Sequence, residues 1–281
     1  MSDEKLTEIK PQSHLLDLNL AELFAYRDLL MMYVKRDIVT FYKQTILGPL
    51  WFVIQPILTT IMFMFVFGNL AGLSTDGMPQ PLFYFSGIIL WNYFADCLTR
   101  NSKTFTENQQ VFGKVYFPRM VVPLSITISN LVRFFIQLII FLLIYFYYLL
   151  FTEAVITPNP TILLFPWLVV LAAGLSLGFG IIFSSLTTKY KDLTFLLQFI
   201  VQLWMYATPV IFPLNSIPAD KQWLLVLNPM TAVVETFKYG FIGQGIFSWT
   251  HLAYSSGFMI VLLLVGIIVF NKVEKSFMDT V

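Results

Sequence analysis

Residues 50–70 read LWFVIQPILTTIMFMFVFGNL, a run without a single charge. At the helical rise a segment of this length reaches roughly 31 Å, about the hydrocarbon thickness of a bilayer. It predicts a membrane-crossing helix and with it the fold class. Comparable runs lie near 81–99, 120–150, 161–186, 193–213 and 252–270. The expectation is therefore an all-α integral membrane protein with six transmembrane helices, its 281 residues forming one transmembrane domain. Composition agrees, with 57% hydrophobic and 12% charged residues, where soluble domains are about one quarter charged. A net charge of +1 argues against a nucleic-acid partner, which needs a clustered positive field. Cys97 stands alone, and His14 and His251 are far apart, so neither a disulfide framework nor a metal site is predicted.

Cations set the expected sidedness, because Lys and Arg are retained in cytoplasmic loops. Lys5, Lys10, Arg27, Lys35, Arg36 and Lys43 precede the first run; Arg100, Lys103, Lys114 and Arg119 follow the second; Lys189 and Lys191 follow the fourth; Lys272 and Lys275 follow the sixth. Against these stand Lys221 and Lys238 on the other side, with Arg133 inside the third run. This predicts both termini in the cytoplasm, and the first 45 residues contain no apolar core of a cleavable signal peptide.

Three segments depart from a plain bundle. After a polar tail, 1–19, residues 20–44 place Leu20, Leu23, Phe24, Leu29, Leu30, Met31, Val34, Ile38 and Phe41 among charges, a pattern for a helix lying in the membrane interface. The third run exceeds a bilayer's need, so its start, with Pro118 and Pro123, should project from the membrane. Residues 214–250 are too apolar for a free loop, and Asn228 followed by Pro229 reads as the cap and first position of a short external, re-entrant helix.

Few ionisable groups enter the apolar runs. Asp96 and Arg100 have the spacing of an interfacial pair one turn apart, and Arg133 suits either a paired structural arginine or a contact to a substrate phosphate. No cluster of acids or histidines suggests acid–base catalysis, so no catalytic residue is expected. The neutral polar residues are more regular. Thr194, Gln198, Gln202 and Tyr206 recur every four positions, as do Gln55 and Thr59. Such faces serve either hydrogen bonding between helices or a corridor for a hydroxyl-rich solute, whose groups would each cost a few kcal/mol in hydrocarbon. Trp51, Phe52, Phe195, Phe199 and Trp204 near these faces offer flat walls suited to sugar rings. In the fourth run, Ala172, Ala173, Gly174, Ser176, Gly178, Gly180, Ser184 and Ser185 form a small-residue surface for close helix approach.

The phosphate-loop pattern GxxxxGK[ST] is missing, so a transporter built this way draws its free energy from another subunit. Residues 111–119, VFGKVYFPR, mix cations with bulky apolar side chains in a loop. A short helix over TENQQVF, capped by Thr106 and ended by Gly113, would present Glu107, Gln109, Val111, Phe112, Lys114 and Tyr116 to a soluble motor domain. Lys189 and Lys191 of TKYKD would add a second contact. The alternative for this loop is rest on anionic lipid.

The chain resembles the membrane subunits of ABC-2-type polysaccharide exporters, the Wzm/TagG-like permeases of O-antigen, capsule and teichoic acid export. The likeness rests on RDI…FYKQTILGPLW at 36–51, FGKVYFPR at 112–119, YATPVIFP at 206–213 and LNPMTAVVETFKYG at 227–240, in that order. It implies a multi-pass homodimer in the bacterial inner membrane, in contact with membrane lipids and bound to two copies of a separate ATPase that holds ATP and Mg. It further implies a coupling helix near 104–116, external helices near 215–245 that help close the exit, and a polysaccharide cargo on a lipid diphosphate carrier. Arg27, Lys35, Arg36 and Lys43 would suit that head group, although positive-inside topology explains the same charges. The rival readings are an ABC-2 exporter of another load, such as capsule, teichoic acid, drug or lipid, and an ion-coupled carrier.

Overall fold

A computed structural model describes residues 20–43 and 48–278, and every regular element among them is helical. In chain order these are α1 (Leu20–Ala25), α2 (Arg27–Lys43), α3 (Trp51–Phe63, continued by a π-helical stretch Met64–Leu70), α4 (Gln80–Asn101), α5 (Thr104–Phe112) and α6 (Val121–Phe151). There follow α7 (Phe165–Lys189), α8 (Leu193–Tyr206), α9 (Gln222–Val226), α10 (Pro229–Ile242) and α11 (Trp249–Met278). The polar tail 1–19 and residue 44, the expected end of the interface helix, lie outside the described residues.

Four helical stretches among the described residues are long and apolar enough to cross a membrane: Trp51–Leu70, Val121–Phe151, Pro160–Lys189 and Trp249–Glu274. The other two expected spans differ in kind. Helix α4 is long enough but carries Tyr84, Ser86, Asn92, Asp96 and Asn101. It tolerates them because α3, α6, α7, α8 and α10 all pack on it and shield it from lipid, and on α6 Asn101 finds Thr127 and Asp96 finds Arg133. Helix α8 stops at Tyr206, not at 213. Pro209 disfavours helical geometry at the residue before it, and 207–213 turn instead. At about 21 Å, α8 is shorter than the hydrocarbon layer.

Helices α7 and α11 form a closely packed pair, in which Gly174 and Gly178 admit Met259 and Leu262. Gly180, on another face of α7, lies so close to α4 that an added Cβ would overlap the Cβ of Asn101. We expect Gly180→Leu to lower stability by about 3 kcal/mol through overpacking. Thermal denaturation in detergent checks this, with Gly257→Leu as the neutral control, since no atom lies within 4 Å of a Cβ there.

At one end of the bundle α10 is buried along nearly its whole length. Asn228 caps it, Oδ1 accepting from the Met230 N–H at 3.1 Å, and Gly243 ends it in the left-handed region with φ +86. The loop before α7 satisfies its last carbonyls, Thr157 N–H donating to Ile242 and Asn159 N–H to Gly240. At the opposite end a second, aromatic core gathers Tyr33, Phe105, Phe112, Phe117 and Phe270 with Val121, Ile181 and Ile267. The first turns of the long α6 sit in this core, which is where the surplus length of the third run goes.

Candidate functional site

The expected docking segment is a helix, α5, but it begins at Thr104. Thr106 is not its cap: the hydroxyl donates back to the Lys103 carbonyl at 3.0 Å, within the first turn. One face of α5 is held by the bundle. Phe105 stacks on Phe270 of α11 with centroids 4.6 Å apart, and its N–H donates to Ser184 Oγ of α7 at 3.3 Å. Thr187 of α7 donates to the Ser102 carbonyl at 2.7 Å, just before α5.

VFGKVYFPR divides into two faces. Phe112 points inward, 2% exposed, against Phe105, Phe117 and the Arg119 guanidinium. Arg119 is buried as well and donates to the Glu274 carbonyl at 2.8 Å, which ties the loop to α11. Burial lowers its pKa, with the Glu274 carboxylate opposing. Phe112 is thus a core residue and not a presented one, because the aromatic cluster offered it apolar neighbours that solvent did not. Val111, Lys114, Val115 and Tyr116 remain exposed.

The second expected contact does come to this surface. Lys191 and Thr194 line a cleft of about 260 Å³ with Lys103, Thr106, Glu107 and Gln109. Lys189 is exposed nearby, 5.3 Å from the Tyr190 ring. Two lysines and one glutamate make this cleft basic.

The polar faces lie on the outside of the chain. Gln55, Gln198, Gln202 and Tyr206 are exposed, while Thr59 and Thr194 are half-buried. The Thr59 hydroxyl donates to the Gln55 carbonyl at 2.9 Å. Trp51, Phe195 and Phe199 are also exposed, whereas Trp204 turns inward between Trp91, Phe94 and Phe179. Both α3 and α8 pack on α4. A corridor using these residues is therefore open on one side in a single chain.

Spacing along one helix did not predict the ion pairs. Asp96 is engaged by Arg133 of α6, whose guanidinium also lies 4.4 Å from the Phe52 ring centroid. Arg100 instead reaches Asp37 of α2 and Asn130 of α6, each at 3.4 Å. Asp37 is 6% exposed and also accepts from Arg36 at 2.8 Å. Three helices are latched by these contacts, with each carboxylate taken by an arginine from a neighbouring helix. The one available signal was Asp37 itself, an acid among the apolar positions of an amphipathic stretch.

The four candidate head-group cations do not converge. Arg27 to Lys43 span the length of α2, roughly 24 Å. Arg27 neighbours Asp28 at 3.8 Å, Arg36 is held by Asp37, and Lys35 and Lys43 are exposed.

At the α10 end, Glu235 and Lys238 are both buried. Glu235 Oε2 accepts from the Ile246 N–H at 2.9 Å. Burial pulls the Lys238 ammonium down to about 8, with Glu235 and then Asp76 opposing. Burial also raises the Glu235 carboxyl, against the effect of Lys238. In sequence Lys238 counts only toward sidedness and Glu235 carries no signal, because both look like ordinary charges of an amphipathic helix.

A helical bundle with four stretches among the described residues able to cross a membrane is the architecture of an integral membrane protein. Residues 28–242 match the family model for ABC-2 type transporters, and the chain belongs to that family. Over 93% of its length it is 26% identical to an O-antigen export system permease protein, RfbA, of Klebsiella pneumoniae, of which 96% is covered. The corresponding protein of Myxococcus xanthus is 25% identical over 92% of this chain and 98% of its own. The polysialic acid transport protein KpsM of Escherichia coli is 24% identical over 87% of this chain and 93% of its own.

Proposed function

We propose that this chain is the membrane-spanning subunit of an ABC exporter that moves a lipid-linked polysaccharide of the O-antigen type from the cytoplasmic to the outer leaflet of the bacterial inner membrane. The observation that carries the reading is similarity to O-antigen export permeases over nearly the full length of both chains. Six spans, including α4 and the short α8, put both termini and the α5 end in the cytoplasm, which accords with the cation distribution. The chain itself is not an enzyme. A separate ATPase binds ATP and Mg, and two copies of it dock on the exposed face of α5 and the Lys191 cleft.

The exposed glutamines support a homodimer. Gln55, Gln198 and Gln202 facing hydrocarbon would each cost a few kcal/mol, so water or a second copy covers them. Two copies facing each other through α3 and α8 enclose a polar, aromatic-walled corridor fit for sugars. Arg27, Lys35, Arg36 and Lys43, spread along α2, act as a basic surface that gathers anionic carrier lipids rather than as one binding pocket. Similarity to a capsule polysaccharide export inner-membrane protein, CtrC, of Neisseria meningitidis favours a second reading, in which the glycan is capsular.

Reconstitution tests the proposal. Proteoliposomes containing this chain and its ATPase should translocate a lipid-linked glycan only with ATP and Mg; movement by this chain alone, driven by a proton gradient, would refute it. Changing Gln198 and Gln202 together to Leu should cut export at least about tenfold with assembly intact, the loss of two hydroxyl partners being worth over 1.4 kcal/mol. Unchanged export would leave both as packing residues.

A further inference from the structure

The outer end of α8 is held by two side chains of the α10 region. Lys238, 0% exposed, donates from Nζ to the Pro209 carbonyl at 2.6 Å. The same ammonium lies 3.6 Å from the centroid of the Phe83 ring of α4. Asn228 donates from Nδ2 to the Ala207 carbonyl at 3.1 Å and to Thr208 Oγ1 at 2.8 Å. Val210 completes the joint by closing on α4, where a Cβ at Gly87 would stand 3.0 Å from the Val210 Cα. Thr208, Pro209, Val210 and Ile211 are all buried.

Within its own chain the rest of α8 is loosely held. Leu197 and Val201 are its buried residues, Trp204 is wedged among Trp91, Phe94 and Phe179, and Phe195, Leu196, Phe199, Ile200 and Leu203 are exposed. A helix fixed at one end and sparsely packed along its length rocks about the fixed end more readily than it slides. A buried ammonium is a costly way to hold a loop, and its advantage over an apolar residue is directional: carbonyl, ring face and the charge of Glu235 together define one position.

We propose that Lys238 is a positioning residue for export: with Asn228 it pins the Ala207–Val210 joint, so that α8 swings its Gln198 and Gln202 face about that joint when the corridor opens. The inference rests on the export reading above for its consequence, and on the joint's geometry for its mechanism. Asp76 and Glu235 are the acids whose charge reaches Lys238. Both favour the charged form of Lys238 against its burial.

The test uses full-length chain with its ATPase. Ile211→Cys places a thiol in the buried joint, and the native Cys97 is itself buried, so a membrane-impermeant maleimide applied from outside reports the joint alone. Labelling of Ile211→Cys should rise at least about fivefold when Lys238→Met is added, the population of a locally opened segment having grown by that factor. Lys238→Met should also lower glycan exported per ATP hydrolysed, with the amount of assembled complex unchanged, and Lys238→Arg should restore part of that coupling. Asn228→Asp is the second variant. It keeps the acceptor that caps α10 and removes the donor to Ala207, and the same two changes are expected. Unchanged labelling, unchanged coupling, or disappearance of the protein from the membrane in both variants overturns the proposal. The labelling arm needs no transport, so a wild-type complex that exports no glycan would count against the function and not against the joint.

Discussion

Phe112→Ala lowers the stability of the permease itself, by about 3 kcal/mol, before any partner is added. The ring fills space between Phe105, Phe117 and the Arg119 guanidinium, and truncating a fully buried Phe costs about 3–5 kcal/mol through lost burial and the cavity left behind. The lower figure applies because Phe105 and Phe117 can partly close the gap. Because this core joins α2, α5, α6, α7 and α11, the damage should reach the whole end of the bundle. The measurement is the melting temperature of the purified chain in detergent. Val111→Ala and Tyr116→Ala, at exposed positions of the same segment, should leave that temperature within a degree or two, on the order of surface substitutions, and weaken stimulation of the ATPase. If Phe112→Ala melted like wild type while Tyr116→Ala did not, the two faces would have been assigned the wrong way round.

Arg133→Ala and Asp96→Ala should each destabilise by roughly 2 kcal/mol, and the double variant by less than the sum of the two. Breaking a fully buried ion pair costs about 3–5 kcal/mol because the remaining charge has no partner. Here the side chains are 24% and 37% exposed, so solvent screens part of the penalty. The guanidinium also stands over Phe52, an attraction that Arg133→Ala loses and Asp96→Ala keeps. Arg133→Ala is therefore the more damaging of the two. A double-mutant cycle by thermal denaturation in lipid nanodiscs reads the coupling directly. Strictly additive losses would mean that the two helices are held by packing alone.

The contacts around α5 bear on how a push from the proposed ATPase would travel. Its inner face is tied to α7 by a hydrogen bond at Ser184 and to α11 by the Phe105–Phe270 stack, and Thr187 of α7 holds the turn just before it. The Arg100–Asp37 contact fastens α2 to the same end. Displacement of α5 is thereby shared among the long helices rather than absorbed by a loop. Of the six expected spans, α8 is the one with least to hold it within a single chain, which is where such a displacement can be expressed as movement.

Properties that each segment carries alone were readable in the chain. A charge-free run such as 50–70 must cross a membrane or be buried, because transfer free energies add residue by residue. The Asn228–Pro229 start of α10 is equally local, since a cap and a proline act within one turn. Local rules even placed a helix over TENQQVF, missing only its first two residues. Partner choice was different. Whether Phe112 faced a motor domain or the bundle, whether Asp96 took Arg100 or Arg133, and whether Lys238 reached solvent or the Pro209 carbonyl all depended on which helices became neighbours. Side chains such as Arg and Lys reach several ångströms past their own helix, so a spacing of four residues names one possible partner among many. Desolvation then favours arrangements in which buried charges find partners, and that selection exists only once the helices are packed.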